Sequence, residues 1–150
     1  LMLCALNTYS AAALSHAVHK EYIAVLEGVL PLGSGEINAP IARCEGSLIT
    51  REVRADGKAS LTQYTVLATG GGHSLVRCVP KTGRTHQLRV HFAHIGHPMA
   101  GDDLYKGHTD SIARHALHCE SLRFAVGGQE QHTVAVPPPQ DMQTLINTLL

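Results

Sequence analysis

The sequence predicts an α+β fold, with a mixed, mainly antiparallel sheet and flanking helices. Residues 61–68 and 73–79 are strand-like segments joined by Gly70, Gly71 and Gly72, and glycines supply the positive φ that hairpin turns need. Segments with helical spacing of apolar residues are interspersed with such strands, and the short connections favour antiparallel pairing. The 150 residues contain no repeat and no low-complexity tract, so one domain is expected.

The first 19 residues predict a strand followed by a helix. Residues 1–6 are apolar enough for a buried strand, and Thr8 or Ser10 can act as the N-cap of a helix that continues to His19. The sequence opens on Leu1 without an initiator methionine and without a preceding turn. We therefore expect it to begin inside a strand of a larger protein.

The next segment predicts a strand that is buried on at least one side. Apolar and polar positions alternate over residues 20–30, which places Tyr22, Ala24 and Leu26 on one face. Residues 31–40 are rich in proline and glycine, and this composition predicts a loop.

A β-rich segment then leads into an amphipathic helix. Residues 41–81 have strand character with a turn at 55–57. Leu88, Phe92 and Ile95 recur at the spacing of one buried helical face. The helix is expected to end at about Ile95, because a C-cap glycine and a proline follow it.

The last third of the chain predicts several short elements. In order, they are a loop at 101–108, a helical or turn segment at 112–117, a strand at 115–126, a turn at 127–128, a short strand at 134–136 and a helix at 141–150.

The composition limits the classes of function. Twelve Lys and Arg residues balance twelve Asp and Glu residues, so an anionic partner must be held by a local patch. No apolar run approaches the roughly 18 residues of a membrane span. We expect an intracellular protein without a membrane partner, in the cytoplasm, or in mitochondria if the source is eukaryotic. The cysteines are expected to be reduced thiols: Cys4, Cys44, Cys78 and Cys119.

Five motifs occur in a fixed order along nearly the whole chain. They are K-x-Y-x-A-x-x-x-G from Lys20, D-G-K-A-S-L-T-x-Y from Asp56, T-G-R-T-H-Q-L-R-V-H from Thr82, G-H-P-M-A-G-D-D-L-Y from Gly96 and A-L-H-C-E-S-L-R-F from Ala116. With these motifs the chain resembles the RluA-like family of RNA pseudouridine synthases.

The resemblance implies an enzyme that isomerises uridine to pseudouridine in rRNA or tRNA without a cofactor. The family uses an aspartate nucleophile in an H-R-L-D-x-x-T-S-G motif that directly precedes the strand matching residues 1–6, and this sequence lacks that motif. Residues 1–150 are therefore interpreted as a partial catalytic domain, inactive alone and monomeric when full length. Asp102 and Asp103 match a family loop position with a structural role.

The resemblance also implies two catalytic residues. Tyr22 matches the aromatic residue that holds the base, although a tyrosine at such a position can also be a core residue. Arg89 is expected to pair with the catalytic aspartate, since a nearby arginine lowers a carboxyl pKa by roughly one to three units. Leu88 is expected either to lie against the uracil or to belong to the core.

Three residues surround the N-terminus of the predicted helix, where free amides and the helix dipole favour an RNA phosphate. They are Lys81, Arg84 and His86. The alternative is that the lysine and the arginine are simply solvated on a loop.

Two other functions remain open at this point. The first is a non-catalytic RNA-binding or assembly module built on the same fold. The second is metal binding by the histidines of this segment, which are His86, His91, His94 and His97. We expect no metal, because no carboxylate or cysteine completes a spacing typical of zinc sites and arginines would lie beside the ion.

Overall fold

Antiparallel strands account for most of the regular structure in the computed structural model, which describes residues 1–14, 18–125 and 131–149. In chain order the elements are α1 (Thr8–Leu14), β1 (His19–Glu27), β2 (Gly33–Asn38), β3 (Ile41–Arg43), β4 (Arg51–Val53), β5 (Leu61–Gly70), β6 (His73–Pro80), α2 (Gln87–His94), a 3-10 helix (Asp103–Tyr105), β7 (Leu117–Phe124), β8 (His132–Ala135) and α3 (Gln140–Leu149).

Six of the strands form one sheet in the order β2-β5-β6-β1-β7-β8, and β3 and β4 form a separate two-stranded sheet. All the strand pairings are antiparallel, which confirms the predicted α+β class. Strand β1 lies inside the sheet, where Tyr22 is opposite Cys78 of β6 and Cys119 of β7. Pairing on both edges of β1 therefore fixes the backbone position of this tyrosine.

The alternation predicted for β1 separates two apolar clusters. Ala24 and Leu26 pack with Leu88 and Phe92 of α2 on the face that we call the α2 face. The opposite side of β1 packs against α3 and forms what we call the α3 face. Its buried residues are Ile23, Val25, Ala100, Ile112, Ala116, Met142 and Leu145.

The loop predicted for residues 31–40 is wrong, because β2 occupies residues 33–38. Its Ser34 and Glu36 lie opposite Thr65 and Gln63 of β5, in an unbroken register. This strand is polar and contains two glycines, so its sequence lacks the apolar alternation that predicts a strand. Pairing with the edge of β5 overrides its weak strand propensity.

The buried strand predicted for residues 1–6 is also wrong. Within the described residues 1–14 no strand forms, and Leu6 is 96% exposed. Strand β1 already pairs with β6 and β7, so residues 1–6 cannot pair with it as a further strand. The helix that follows is capped by Asn7, whose Oδ1 accepts the Ser10 amide at 2.8 Å. It does not reach His19, which begins β1.

The hairpin and the helix end are confirmed. Gly71 and Gly72 have φ of 52° and 76° and join β5 to β6. Helix α2 ends at His94 with Ile95 as its C-cap, followed by Gly96 at φ 82°. The remaining predicted elements are observed as β7, β8 and α3, with bends rather than a helix at 112–116, while the turn predicted at 127–128 lies outside the described residues.

No helix in the described part of the chain is long and apolar enough to cross a membrane. The cysteines are all free thiols: Cys4, Cys44, Cys78 and Cys119.

Candidate active site

The first residue of α2 anchors this helix to the sheet. The Oε1 of buried Gln87 accepts hydrogen bonds from the Thr82 hydroxyl at 2.7 Å and the Arg84 amide at 3.0 Å. Its Nε2 donates to the Leu61 carbonyl at 3.0 Å and to Thr62 Oγ1 at 3.1 Å. The donors and acceptors of the amide are thus satisfied, and the loop before α2 is held in one arrangement.

The hydrogen-bond chain continues through His91, which is fully buried. Its Nε2 donates to the Ala39 carbonyl at 2.9 Å, because a carbonyl oxygen can only accept. Its Nδ1 therefore accepts from the Thr62 hydroxyl at 2.9 Å, which in turn accepts from Gln87. Burial lowers the pKa of His91, so the ring is neutral. This histidine holds α2 against the sheet.

Next to Leu88 on α2, Arg89 pairs with Asp102. The Nε of Arg89 donates to Asp102 Oδ2 at 2.8 Å, and its Nη2 donates to Oδ1 at 2.6 Å. The Asp102 side chain is fully buried, and the guanidinium carbon lies 4.9 Å from the centre of the Tyr105 ring. A bidentate pair stacked on a ring has little rotational freedom, so the direction of the Arg89 side chain is fixed.

Tyr105 connects this pair to two neighbouring segments. Its hydroxyl accepts the Arg51 amide at 3.1 Å and is 2.8 Å from His86 Nδ1. His86 has φ of 56°, a conformation that is uncommon for residues other than glycine. Burial lowers the pKa of His86, and the positive charges of Arg89 and Arg51 lower it further. The imidazole is therefore neutral and serves as a hydrogen-bond partner.

A cleft of about 440 Å³ lies between the β3–β4 sheet and the loop before α2. Four cationic residues line it: Arg43, Arg51, Lys58 and Arg84. Its acidic residue, Asp56, is paired with Arg54, so the positive charges of the lining are in excess. A cleft with this charge attracts anions such as phosphate groups.

On the α2 face, Tyr22 lies against the apolar cluster that contains Leu88. Burial, followed by the effect of the Cys119 thiol, raises the pKa of Tyr22 to about 12. The phenol of Tyr22 is therefore protonated at neutral pH. It can act as an aromatic surface and a hydrogen-bond donor, but not as a proton acceptor in general base catalysis. The structure thus brings Tyr22 and Leu88 into one apolar cluster.

The three residues expected to bind phosphate lie in different places. Arg84 lines the cleft and donates from Nε to the Ala59 carbonyl at 3.2 Å. His86 turns instead toward Tyr105, next to the Arg89 pair. Lys81 is exposed just after β6 and is not part of the cleft lining.

The histidines considered for a metal do not converge. His86 and His91 are engaged as described above, and His97 Nδ1 lies 2.9 Å from the Glu27 carbonyl. His94 is exposed. Among the residues that the structure describes, no group of three or more His, Cys, Asp and Glu side chains could hold a metal ion.

A model of the RNA pseudouridylate synthase family matches residues 1–94, which is more than half of the chain. The chain belongs to this family. An uncharacterized RNA pseudouridine synthase of Bacillus subtilis, YjbO, is 39% identical over 152 residues, covering 97% of this chain and 54% of that protein. The ribosomal large subunit pseudouridine synthase D of Xanthomonas campestris is 38% identical and covers 88% of this chain and 44% of that protein.

Solved structures of family members have the same fold. Human RNA pseudouridylate synthase domain containing 1 has a TM-score of 0.76 and 33% identity, and the match covers 89% of this chain and 62% of that one. The chain thus spans about half the length of the curated pseudouridine synthases that it matches.

Sequence reasoning missed the roles of Gln87 and Tyr105, and it gave Asp102 a structural role without naming Arg89 as its partner. Gln87, Asp102 and Tyr105 all fall within motifs that carry the family resemblance, but their roles are set by contacts with residues distant in sequence. The motifs were the available signal. The cleft residues Arg43 and Arg51 lie outside the five motifs.

Proposed function

We propose that the full-length gene product is an RNA pseudouridine synthase that isomerises a uridine in rRNA or tRNA. Residues 1–150 would then be a partial catalytic domain that is inactive alone. The observation that carries the proposal is that Tyr22 packs against the apolar cluster that contains Leu88 of α2, and that the next residue of this helix, Arg89, is a rigidly held cation. Membership of the RNA pseudouridylate synthase family supports a joint role for these residues in holding the target nucleotide.

In this mechanism the residues of the chain bind and orient, and the nucleophilic aspartate comes from the family motif that this sequence lacks. Tyr22 and Leu88 hold the uracil between them. Arg89, kept in direction by Asp102, offers Nη1 to the nucleophilic carboxylate and favours its ionised form in a desolvated pocket. The glycosidic C1′–N1 bond breaks and a C1′–C5 bond forms within the same nucleotide, while C5 loses a proton and N1 gains one, so the composition is unchanged. Because the reaction is an isomerisation, no redox cofactor is needed.

RNA is the proposed partner, and its phosphates are expected at Lys81, Arg84 and the cationic cleft. A target base within paired RNA would have to leave the stack, at a cost of a few kcal/mol. We propose that the protein acts as a monomer, in the cytoplasm, where rRNA and tRNA are available.

The test is to incubate the full-length gene product with rRNA and with tRNA and to map pseudouridine at single-nucleotide resolution. We expect one or a few modified sites with the wild type and strongly reduced turnover with Arg89→Ala. Tyr22→Phe keeps the ring and should retain more activity than Tyr22→Ala. An Arg89→Ala protein with wild-type turnover would contradict the role given to this arginine. RNA binding without any modified uridine would favour the non-catalytic module instead.

A further inference from the structure

A row of five residues runs across five strands of the large sheet. In register from β2 to β7 they are Gly35, Tyr64, Cys78, Tyr22 and Cys119. Small and large side chains alternate along this set, which we call the tyrosine row. Residues directly opposite each other on antiparallel strands project from the same face with their Cβ atoms about 5 Å apart. Each tyrosine is therefore flanked by small side chains.

The two tyrosines of the tyrosine row lean in opposite directions. A Cβ at Gly35 would clash with the Tyr64 ring, so Tyr64 lies over this glycine, and its ring meets Phe92 edge-on with the ring centroids 5.5 Å apart. Tyr22 instead contacts the thiol of Cys119 at the other end of the row. Burial raises the pKa of Tyr22, and the charge and hydrogen-bond interactions with that thiol raise it further.

A β-bulge in β7 places Cys119 opposite Tyr22. Glu21 lies opposite Ser121, so an unbroken register would put Glu120 opposite Tyr22. The register shifts by one residue between Glu21 and Tyr22, which makes Glu120 the extra residue of the bulge. Glu120 forms an ion pair with an arginine of β6 at 3.5 Å instead. The bulge thus replaces a carboxylate by a thiol beside Tyr22.

The hydrogen bonds of the Cys119 thiol have a definite direction. Its Sγ lies 3.7 Å from the Ser121 carbonyl oxygen, which can only accept, so the thiol proton points to Ser121. The sulfur is then the acceptor for the Tyr22 hydroxyl. Cys119 is buried, with 8% of its surface exposed, so water has little access to these contacts. The Tyr22 hydroxyl therefore has one preferred rotation.

We propose that Cys119 is a positioning residue for the isomerisation, and that it holds the hydroxyl and the ring of Tyr22 in the orientation that receives the target uracil. Cys119 itself transfers no proton and forms no bond to the RNA. Because the Tyr22 hydroxyl donates to the thiol, the phenol oxygen offers its lone pairs to an N–H group of the base. The inference rests on the proposed function and adds the residue that orients Tyr22.

The first test is a double-mutant cycle in the full-length gene product. Single-turnover rates of pseudouridine formation are measured with an rRNA or tRNA transcript that the wild type modifies. Cys119→Ala should lower the rate at saturating enzyme roughly two- to tenfold, as expected for the loss of one hydrogen bond, and should leave the affinity for the RNA unchanged. In the Tyr22→Phe background the same substitution should have no further effect, because the hydroxyl that the thiol holds is already gone.

Two further substitutions separate hydrogen bonding from packing. Cys119→Ser keeps a donor and an acceptor and should recover most of the wild-type rate, whereas Cys119→Val fills the space without them and should not. Cys4→Ala removes an exposed thiol and is the matched control. Thermal melts check that each variant is folded. An equal loss from Cys119→Ala with and without the Tyr22 hydroxyl, or no loss in either background, would overturn the proposal.

A second readout does not depend on turnover. In protein labelled with tyrosine carrying ¹³C at Cζ, the Tyr22 signal is assigned by its disappearance in Tyr22→Phe, and its chemical shift reports the hydrogen bonding of the phenol. Cys119→Ala should move this signal and Cys4→Ala should not, and a signal that stays in place refutes the proposal.

The two readouts distinguish this inference from the proposed function. A wild type that makes no pseudouridine, but whose Tyr22 signal moves on Cys119→Ala, would refute the proposed function while the contact between Tyr22 and Cys119 stands. A wild type that makes pseudouridine, and whose Tyr22 signal ignores Cys119→Ala, would support the proposed function and refute the positioning role.

Discussion

The two faces of the sheet are closed by different kinds of contact. On the α2 face, an apolar cluster is accompanied by the buried polar side chains of Thr62, Gln87 and His91, and Arg89 of the same helix pairs with buried Asp102. On the α3 face, the buried residues that pack together are apolar, and the charged pairs lie at the exposed rim, as with Arg114 and Asp141.

The difference shows where the fold needs orientation and where it needs only burial. Apolar contacts are non-directional, and similar shapes can replace one another at modest cost. A buried hydrogen-bonded network is directional, and the loss of one member leaves the others unsatisfied. The directional contacts lie around helix α2, which carries Arg89 and packs on the sheet face of Tyr22.

The largest effect should come from breaking the buried ion pair. Arg89→Ala leaves the fully buried Asp102 carboxylate without its partner, so we expect a loss of about 3–5 kcal/mol in the free energy of unfolding. Urea unfolding of the full-length gene product measures it. The control is Arg123→Ala, whose ion pair with Glu21 is exposed and whose loss should cost about 0–1 kcal/mol. Equal losses in the free energy of unfolding would show that the buried and the exposed ion pair contribute alike, which contradicts the difference between the two faces.

The amide that anchors α2 should come second. Gln87→Ala leaves the Thr82 hydroxyl, the Thr62 hydroxyl and backbone groups without a partner, and we expect a loss of about 2–4 kcal/mol. Gln63→Ala removes an exposed glutamine on β5 and is the matched control. The same urea titration reports both. If Gln87→Ala lowered the free energy of unfolding no more than Gln63→Ala, the hydrogen-bond network would not stabilise the fold.

Stability should depend on pH through the network. Because folding lowers the pKa of His91, the unfolded chain binds the extra proton more readily. The stabilisation is complete above the ordinary histidine pKa of about 6.5 and is lost as pH falls from that value through the lower pKa of the folded state, with a slope of at most about 1.4 kcal/mol per pH unit for one proton. Unfolding measured between pH 8 and pH 5 tests this. His91→Asn should flatten the dependence, whereas exposed His94→Asn should not.

The smallest effect should come from the rim of the α3 face. Arg114 makes two 2.9 Å contacts to Asp141, yet both side chains are well exposed, so Arg114→Ala should cost about 0–1 kcal/mol. A thermal melt of this variant beside the wild type measures the change. A loss of several kcal/mol would mean that the α3 face also depends on directional contacts.

Periodic apolar segments predicted their structures correctly, and segments without a period did not. The alternation in β1 and the stripe on α2 each match one buried face. The polar strand β2 has no such signal, because it becomes a strand only by pairing with β5. Residues 1–6 carry an apolar signal, but the strand edges near them are already paired.

The sequence supplied candidate site residues by type, and their roles stay predictions. Tyr22, Leu88 and Arg89 came from motif resemblance, and whether they act on RNA stays a prediction. The contacts that orient them could not be predicted, since Thr62 and His91 are separated by 29 residues and Arg89 and Asp102 by 13. Hydrogen bonds over such distances leave no periodic trace in the sequence.

Tyr105 contacts both strand β4, through Arg51, and Arg89 of α2. The tyrosine touches the backbone of Arg51 through its hydroxyl and the guanidinium of Arg89 through its ring. Any RNA that binds Arg51 more tightly when Tyr105 is in place must, by reciprocity, favour the same arrangement around Arg89. Tyr105→Phe keeps the ring and removes the hydroxyl, so a double-mutant cycle with Arg51→Gln in RNA titrations measures that coupling energy. RNA binding at Arg51 and the arrangement around Arg89 would then be energetically coupled through Tyr105.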